Sequence, residues 1–169
     1  ENLIMAATLC KGKTTIKNIA IEPEIIDLIN FLNKSGAKIF FNSKRIITIE
    51  GVESLKGSTH SIIPDRIEAG TYAVASLISN GKITLNRIDT KAMKNIFDVL
   101  KLSGAKLNSN KKNSVTVSRK KIKSLNAKTI PYPGFPTDMQ AQLMSLLCLG
   151  NGKSIIKEDI FENRFLHVS

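Results

Sequence analysis

Apolar positions along the chain fall into blocks whose spacing alternates between the helical and the strand period. Residues 2–9 carry apolar side chains on one helical face, and Lys11 and Gly12 supply the cation and glycine that suit a helix C-terminus. TTIKNI, residues 14–19, alternates like a strand. Glu22 and Pro23 open a helix with Ile25, Ile26, Leu28, Ile29 and Leu32 on a face of 3.6-residue period, ending at Ser35 and Gly36. Residues 38–42 and 45–50 then read as two strands about a turn. The order returns from Pro64, with a largely apolar helix over 67–79, a strand at ITLNRI and a second helix over 91–102. Met93, Ile96, Phe97 and Leu100 share one face of that second helix. Strands over 106–109 and 114–118 complete this round. A third round starts at Phe135 with a helix through Leu149, continues with the strand SIIKEDI, and breaks off.

This recurrence is a repeat. GKTTIKNI, GKITLNRI and GKSIIKEDI start at glycines 12, 81 and 152, separations of 69 and 71 residues, and SGAK occurs at 35 and again at 103. Each unit reads helix, strand, helix, strand, strand, preceded by a strand where enough chain is present. A period near 70 exceeds that of the common solenoid repeats and points to a few α/β units about a local pseudo-symmetry axis. The first helix of each unit is apolar almost all round, which predicts burial inside the assembly; the second is amphipathic.

Composition narrows the reading. The chain has 169 residues, 42 % of them hydrophobic and 23 % charged, enough for a packed core in one domain or parts of two. No apolar run approaches the length of a membrane span. ENLIMAATLCKG lacks the basic start and cleavage site of a secretory leader, and two reduced thiols, Cys10 and Cys148, would fit the expected cytoplasmic location. The chain begins within a helical pattern and stops at HVS, and is expected to be a piece of a longer protein. Cys10 and Cys148 lie in apolar helical patterns and are expected to be reduced core thiols. Without a CxxC pair, and with His60 and His167 the two histidines, there is no metal-site signature.

The formal net charge of +11 admits nucleic acid, an anionic membrane or anionic small substrates. Lys111, Lys112, Arg119, Lys120, Lys121 and Lys123 form a basic stretch. It reads as a solvated strand edge or, alternatively, as part of a basic non-catalytic nucleic-acid-binding module. Aromatic residues at 5 %, with no Trp, offer few stacking platforms for single strands, which weighs against the module.

Candidate chemistry concentrates in PYPGFPTDMQAQ, residues 131–142. Prolines and a glycine crowd a turn, Pro136 sits where a helix accepts it, and Thr137 and Asp138 can satisfy the first-turn N–H groups. On local pattern Asp138 is a capping acid or an acid that a rigid bend presents; both readings stand. Glu22 and Glu24 read as first-turn acids complementing a helix dipole, and Arg66 and Glu68 as structural charges or as supports for site residues.

EPEIIDLINFLNKSGAKI, IIPDRIEAGTYAVASLISNGKI, PYPGFPTDMQAQLMSLL and IFENRFLHV together span almost the whole chain. In order and spacing it resembles the UDP-N-acetylglucosamine enolpyruvyl transferases. The resemblance implies an inside-out α/β barrel built from βαβαββ units, incomplete here. Residues 1–62 would be the last unit of one domain and 63–169 the first part of the second. The reactive-cysteine loop, the lysine that holds phosphoenolpyruvate and the C-terminal unit would lie outside these residues; neither Cys10 nor Cys148 matches the reactive cysteine's motif. The implied reaction transfers the enolpyruvyl group of phosphoenolpyruvate to the 3′-hydroxyl of UDP-N-acetylglucosamine with release of phosphate. It is the first committed step of bacterial peptidoglycan synthesis, and needs no metal or cofactor. The implied partners are those two small molecules, with no nucleic acid and no membrane.

Residue by residue, Asp138 matches the family aspartate that contacts the sugar hydroxyl and is a candidate general base. Ile160 matches a position that contacts the UDP-sugar through its backbone, although an isoleucine ending a strand also reads as core. Arg164 matches an arginine near the phosphoenolpyruvate site, where a guanidinium suits a carboxylate or phosphate; the alternative is a surface ion pair with Glu162 or Glu158.

Overall fold

The computed structural model describes residues 1–168, apart from the side chains at 110 and 111. Two compact units divide the chain, Glu1–Ile63 and a second from Pro64 onward.

The first unit runs α1 (Asn2–Thr8), β1 (Lys13–Lys17), α2 (Pro23–Lys34), β2 (Lys38–Ser43) and β3 (Ile46–Glu50). Its antiparallel sheet has the order β1-β3-β2. The strand period puts Ile16, Ile39, Ile47 and Ile49 on one face, and there they meet Ile4 and Ala7 of α1 and Ile25, Ile29 and Leu32 of α2. Pro23 sits in the first turn of α2, where its missing N–H costs nothing, and α2 ends at Ser35 before Gly36 at φ +103°.

The second unit repeats the order with α3 (Arg66–Ile78), β4 (Lys82–Asn86), α4 (Lys94–Leu102), β5 (Ala105–Lys111) and β6 (Ser114–Arg119). Its sheet has the corresponding order β4-β6-β5. Asp65 caps α3, its carboxylate accepting from the amides of Ile67 at 2.8 Å and Glu68 at 3.0 Å. The repeat extends to single side chains. Thr15 and Thr48 face each other across β1 and β3, and Thr84 and Thr116 across β4 and β6 with hydroxyls 2.9 Å apart. Cross-strand threonine pairs of this kind stabilise a sheet by roughly 0.2–1 kcal/mol each.

The third round supplies β7 (Asn126–Lys128), a 3-10 turn (Thr137–Met139), α5 (Gln140–Leu147) and β8 (Ile155–Lys157). β7 and β8 pair in parallel, Asn126 with Ile155 and Lys128 with Lys157, so the chain between them is a crossover containing α5. A second core joins α3, α4 and α5 to the sheet through Ala73, Leu77, Met93, Ile96, Leu100, Val117, Met139, Leu143 and Leu146.

Several expectations are corrected. Both cysteines are exposed: Cys10 lies past the end of α1, with its thiol donating to the Ala6 carbonyl, and Cys148 caps the C-terminus of α5. The apolar pattern assigned them to helices, but helix ends turn outward. The third-round helix begins at Gln140 rather than Phe135, and β8 stops at Lys157 rather than running to Ile160. Of the basic stretch, Lys112, Lys120, Lys121 and Lys123 are exposed, Arg119 donates to Asn80, and the Lys111 side chain lies outside the described residues.

Candidate functional site

Parallel strands end on the same side, so the loops leaving β7 and β8 emerge together. In α/β sheets this carboxyl side is where ligands bind. Three of the sequence-derived candidates lie on these two loops.

The loop after β7 is folded tightly. The Ile130 amide donates to the Phe135 carbonyl at 3.0 Å, and the Gly134 amide to the Pro131 carbonyl at 2.9 Å. A Cβ at Gly134 would stand 2.4 Å from that of Ile130, so no other residue fits. Arg66, buried at the start of α3, lays its guanidinium over the Tyr132 ring at 5.6 Å. Phe135 is buried, and Met139 is fully buried against α3, where Gly70 leaves room for its thioether. These anchors fix both ends of Pro136–Thr137–Asp138.

Neither Thr137 nor Asp138 caps a helix. The backbone makes a 3-10 turn closed by the Met139 amide on the Pro136 carbonyl, and no side-chain cap forms on that turn or on α5. This corrects the capping reading: the 3-10 turn directs both side chains away from the amides of α5. Thr137 donates its hydroxyl to Glu158 at 2.7 Å. Asp138 faces Arg164, with Oδ1 3.4 Å from a guanidinium nitrogen.

The loop after β8 is built around Glu158. Its Oε1 accepts from the amides of Ile160 at 2.8 Å and Phe161 at 3.2 Å, which draws the backbone out of the ladder and ends β8. Burial alone would raise the Glu158 pKa. Hydrogen bonds from the Thr137 hydroxyl, the Ile160 amide, the Thr129 side chain and the Phe161 amide outweigh it and hold the carboxyl below its usual range. Asp159 pairs with Lys128 at 2.9 Å and Lys157 at 3.2 Å, and these cations hold its pKa down. Because Lys128 and Lys157 are direct partners across the parallel pair, Asp159 also relieves their repulsion.

Arg164 packs its guanidinium on the Phe161 ring at 4.9 Å and pairs with Asp138, not with Glu162 or Glu158. The two side chains are 40 % and 55 % exposed. An ion pair this open contributes about 0–1 kcal/mol, little enough for an arriving anion or hydroxyl to displace it. Ile160 is half-buried, its amide engaged by Glu158. The structure thus brings Asp138 and Arg164 together and sets Ile160 on the same loop as Arg164. Sequence reading had considered Glu158 only as an ion-pair partner for Arg164. Its available signal was an acid just past a strand, followed by free amides.

Among the described residues, no three His, Cys, Asp or Glu side chains come together as a metal site, and no helix is long and apolar enough to cross a membrane.

Repeated helix–strand–helix–strand–strand units, with a parallel strand pair closing the last, define an α/β protein built from copies of one motif. The chain belongs to the EPSP synthase (3-phosphoshikimate 1-carboxyvinyltransferase) family, whose sequence model it matches over residues 1–169. It is 53 % identical over 169 residues to the UDP-N-acetylglucosamine 1-carboxyvinyltransferase of Pelagibacter ubique (strain HTCC1062), covering 100 % of this chain and 40 % of that protein. To the enzyme of that name from Endomicrobium trichonymphae it is 50 % identical over 169 residues, again 100 % of this chain and 40 % of the relative. The chain therefore spans about 40 % of the length of these curated relatives. Its fold is similar to the crystal structure of the enolpyruvyl transferase NikO from Streptomyces tendae, with TM-score 0.82 and 26 % identity over 96 % of this chain and 39 % of that one. The expected fold class holds, with the chain covering part of it.

Proposed function

We propose that this chain is part of a UDP-N-acetylglucosamine 1-carboxyvinyltransferase and carries its sugar-hydroxyl acid, Asp138. The observation that carries the reading is the match at 53 % identity along all 169 residues to a relative of that name. On this reading residues 1–62 are the last unit of one domain and 63–169 the first part of the next. The complete protein acts in the cytoplasm, at the start of peptidoglycan synthesis, and so bears on cell wall, cell shape and division.

The sugar 3′-oxygen attacks C2 of phosphoenolpyruvate while C3 gains a proton, giving a tetrahedral intermediate. Loss of phosphate and of a C3 proton then restores the enol double bond on the new ether. Asp138 accepts a hydrogen bond from the 3′-hydroxyl, orients it, and takes its proton as the carbon–oxygen bond forms. Its partial exposure leaves it accessible once the Arg164 pair opens. Arg164, steadied on Phe161, then offers its fork to the carboxylate or phosphate of phosphoenolpyruvate. The Ile160 amide is engaged by Glu158, so a backbone contact from Ile160 to the UDP-sugar falls to its carbonyl.

The test is phosphate release by the complete protein given both substrates. Release that requires UDP-N-acetylglucosamine and is lost in Asp138→Ala is expected. Absence of release, or an Asp138→Ala variant as fast as the parent, would overturn the reading.

A further inference from the structure

We infer that Glu158 is a positioning residue of this site: its carboxylate ties the loop bearing Thr137 and Asp138 to the loop bearing Ile160 and Arg164. The inference rests on the functional reading above and assigns a role to a residue that contacts no reacting atom.

The two loops are anchored unequally. The first is held from below, by Phe135 and by fully buried Met139. In the second, every described residue from Glu158 to Val168 is exposed or only half-buried, so no apolar side chain is sunk into the core. Its strand gives little purchase, since β8 has three residues. Within this chain, Arg164 is placed by polar ties and by its stacking on Phe161.

Beyond the strand-end contacts of Thr129 with Glu158 and of Lys128 with Asp159, two ties cross between the loops where the candidate residues sit. The Asp138–Arg164 pair, at 3.4 Å and about half exposed, is weak, and a substrate using both groups must open it. The Thr137–Glu158 bond, at 2.7 Å, is a short hydrogen bond to a charged acceptor, about twice as strong as a neutral one. The same carboxylate holds the amides of Ile160 and Phe161, the residue on which Arg164 stacks. Glu158 therefore keeps the loops in register when the Asp138–Arg164 pair is broken. Misplacing a reacting group by about 1 Å can cost about 100-fold in rate, so this tie is felt in turnover.

The experiment compares Thr137→Val, Thr137→Ser and Glu158→Ala in the complete protein, reading kcat, KM for each substrate and thermal stability. Thr137→Val removes the hydroxyl while leaving shape and the Glu158–amide bonds. It is expected to lower kcat roughly 10- to 100-fold with a fall in melting temperature of no more than a few degrees. Thr137→Ser restores the bond and recovers turnover. Glu158→Ala falls at least as far, and adding Thr137→Val to it costs little more, because both remove one tie. If Glu158→Ala does not fold, the two Thr137 variants decide. A parent protein that releases no phosphate overturns the functional reading and this role with it. An active parent whose Thr137→Val variant keeps its kcat, or loses it without recovery in Thr137→Ser, overturns the positioning role alone.

Discussion

Pro64–Asp65 and Pro136–Thr137–Asp138 occupy the same place in successive repeats, each opening the first helix of a round, yet their acids do different things. Asp65 turns its carboxylate onto the amides of Ile67 and Glu68 and is consumed by capping. Asp138 sits one residue deeper, on a 3-10 turn, and makes no cap. Its partner is Arg164, on the far side of a parallel crossover. A shift of one residue relative to the proline separates a structural acid from an available one. The difference also shows in the anchoring: the Asp65 cap supports its own helix, whereas Asp138 is held by neighbours, with Met139 buried beneath it and Thr137 tied to Glu158.

The largest effect expected from this contrast comes from the isosteric exchange to asparagine. Asp138→Asn in the complete protein should lower kcat by about 10²–10⁴-fold, the range of a lost proton-transfer group, with stability changed by no more than about 0.5 kcal/mol. Asp65→Asn should leave turnover near that of the parent, because asparagine caps as well as aspartate. Steady-state kinetics beside thermal melts would separate the two; equal losses of kcat at both positions would erase the distinction.

Next comes the anchor. Met139→Ala opens a cavity between α3 and α5 and should cost about 2–5 kcal/mol in chemical denaturation. Smaller again is Asp65→Ala, expected to remove about 1 kcal/mol through the lost cap, while Asp138→Ala removes almost none. A destabilisation of similar size at both would mean that Asp138 caps after all.

The smallest effect is one of pH. Glu158 has its native pKa lowered, so its contribution to stability is complete above the unfolded-state value and disappears as pH falls through the native one. Amide exchange at Ile160 and Phe161, corrected for the intrinsic pH dependence, should therefore lose protection only in acid, below about 4.3. In Glu158→Gln this acid step should vanish. A step persisting in that variant would assign it to another carboxylate.

Much of the fold was legible because its determinants are local. The 3.6-residue period of Ile25, Ile29 and Leu32 marks α2, and the alternation in TTIKNI marks β1. The two SGAK glycines mark helix ends, and both take positive φ, +103° at Gly36 and +104° at Gly104. They differ in surroundings, which no local pattern reports: a Cβ at Gly36 meets nothing, whereas one at Gly104 would stand 2.1 Å from the Lys121 carbonyl oxygen. The ends of β8 and α5 were misjudged because side-chain bonds from Glu158 and a 3-10 turn at Pro136 compete there with the regular ladder.

By itself the sequence determined the repeat and the element order and singled out the candidate residues, since periodicity, glycines and the run PGFPTDMQAQ are properties of neighbours along the chain. Only the tertiary structure decided that Asp138 faces Arg164, that Thr137 binds Glu158, and that Asp65 alone of the two acids is a cap. Those pairings join residues 21 to 26 positions apart through a parallel crossover, and a partner at that separation is chosen by how the strands pack, not by what lies next to it.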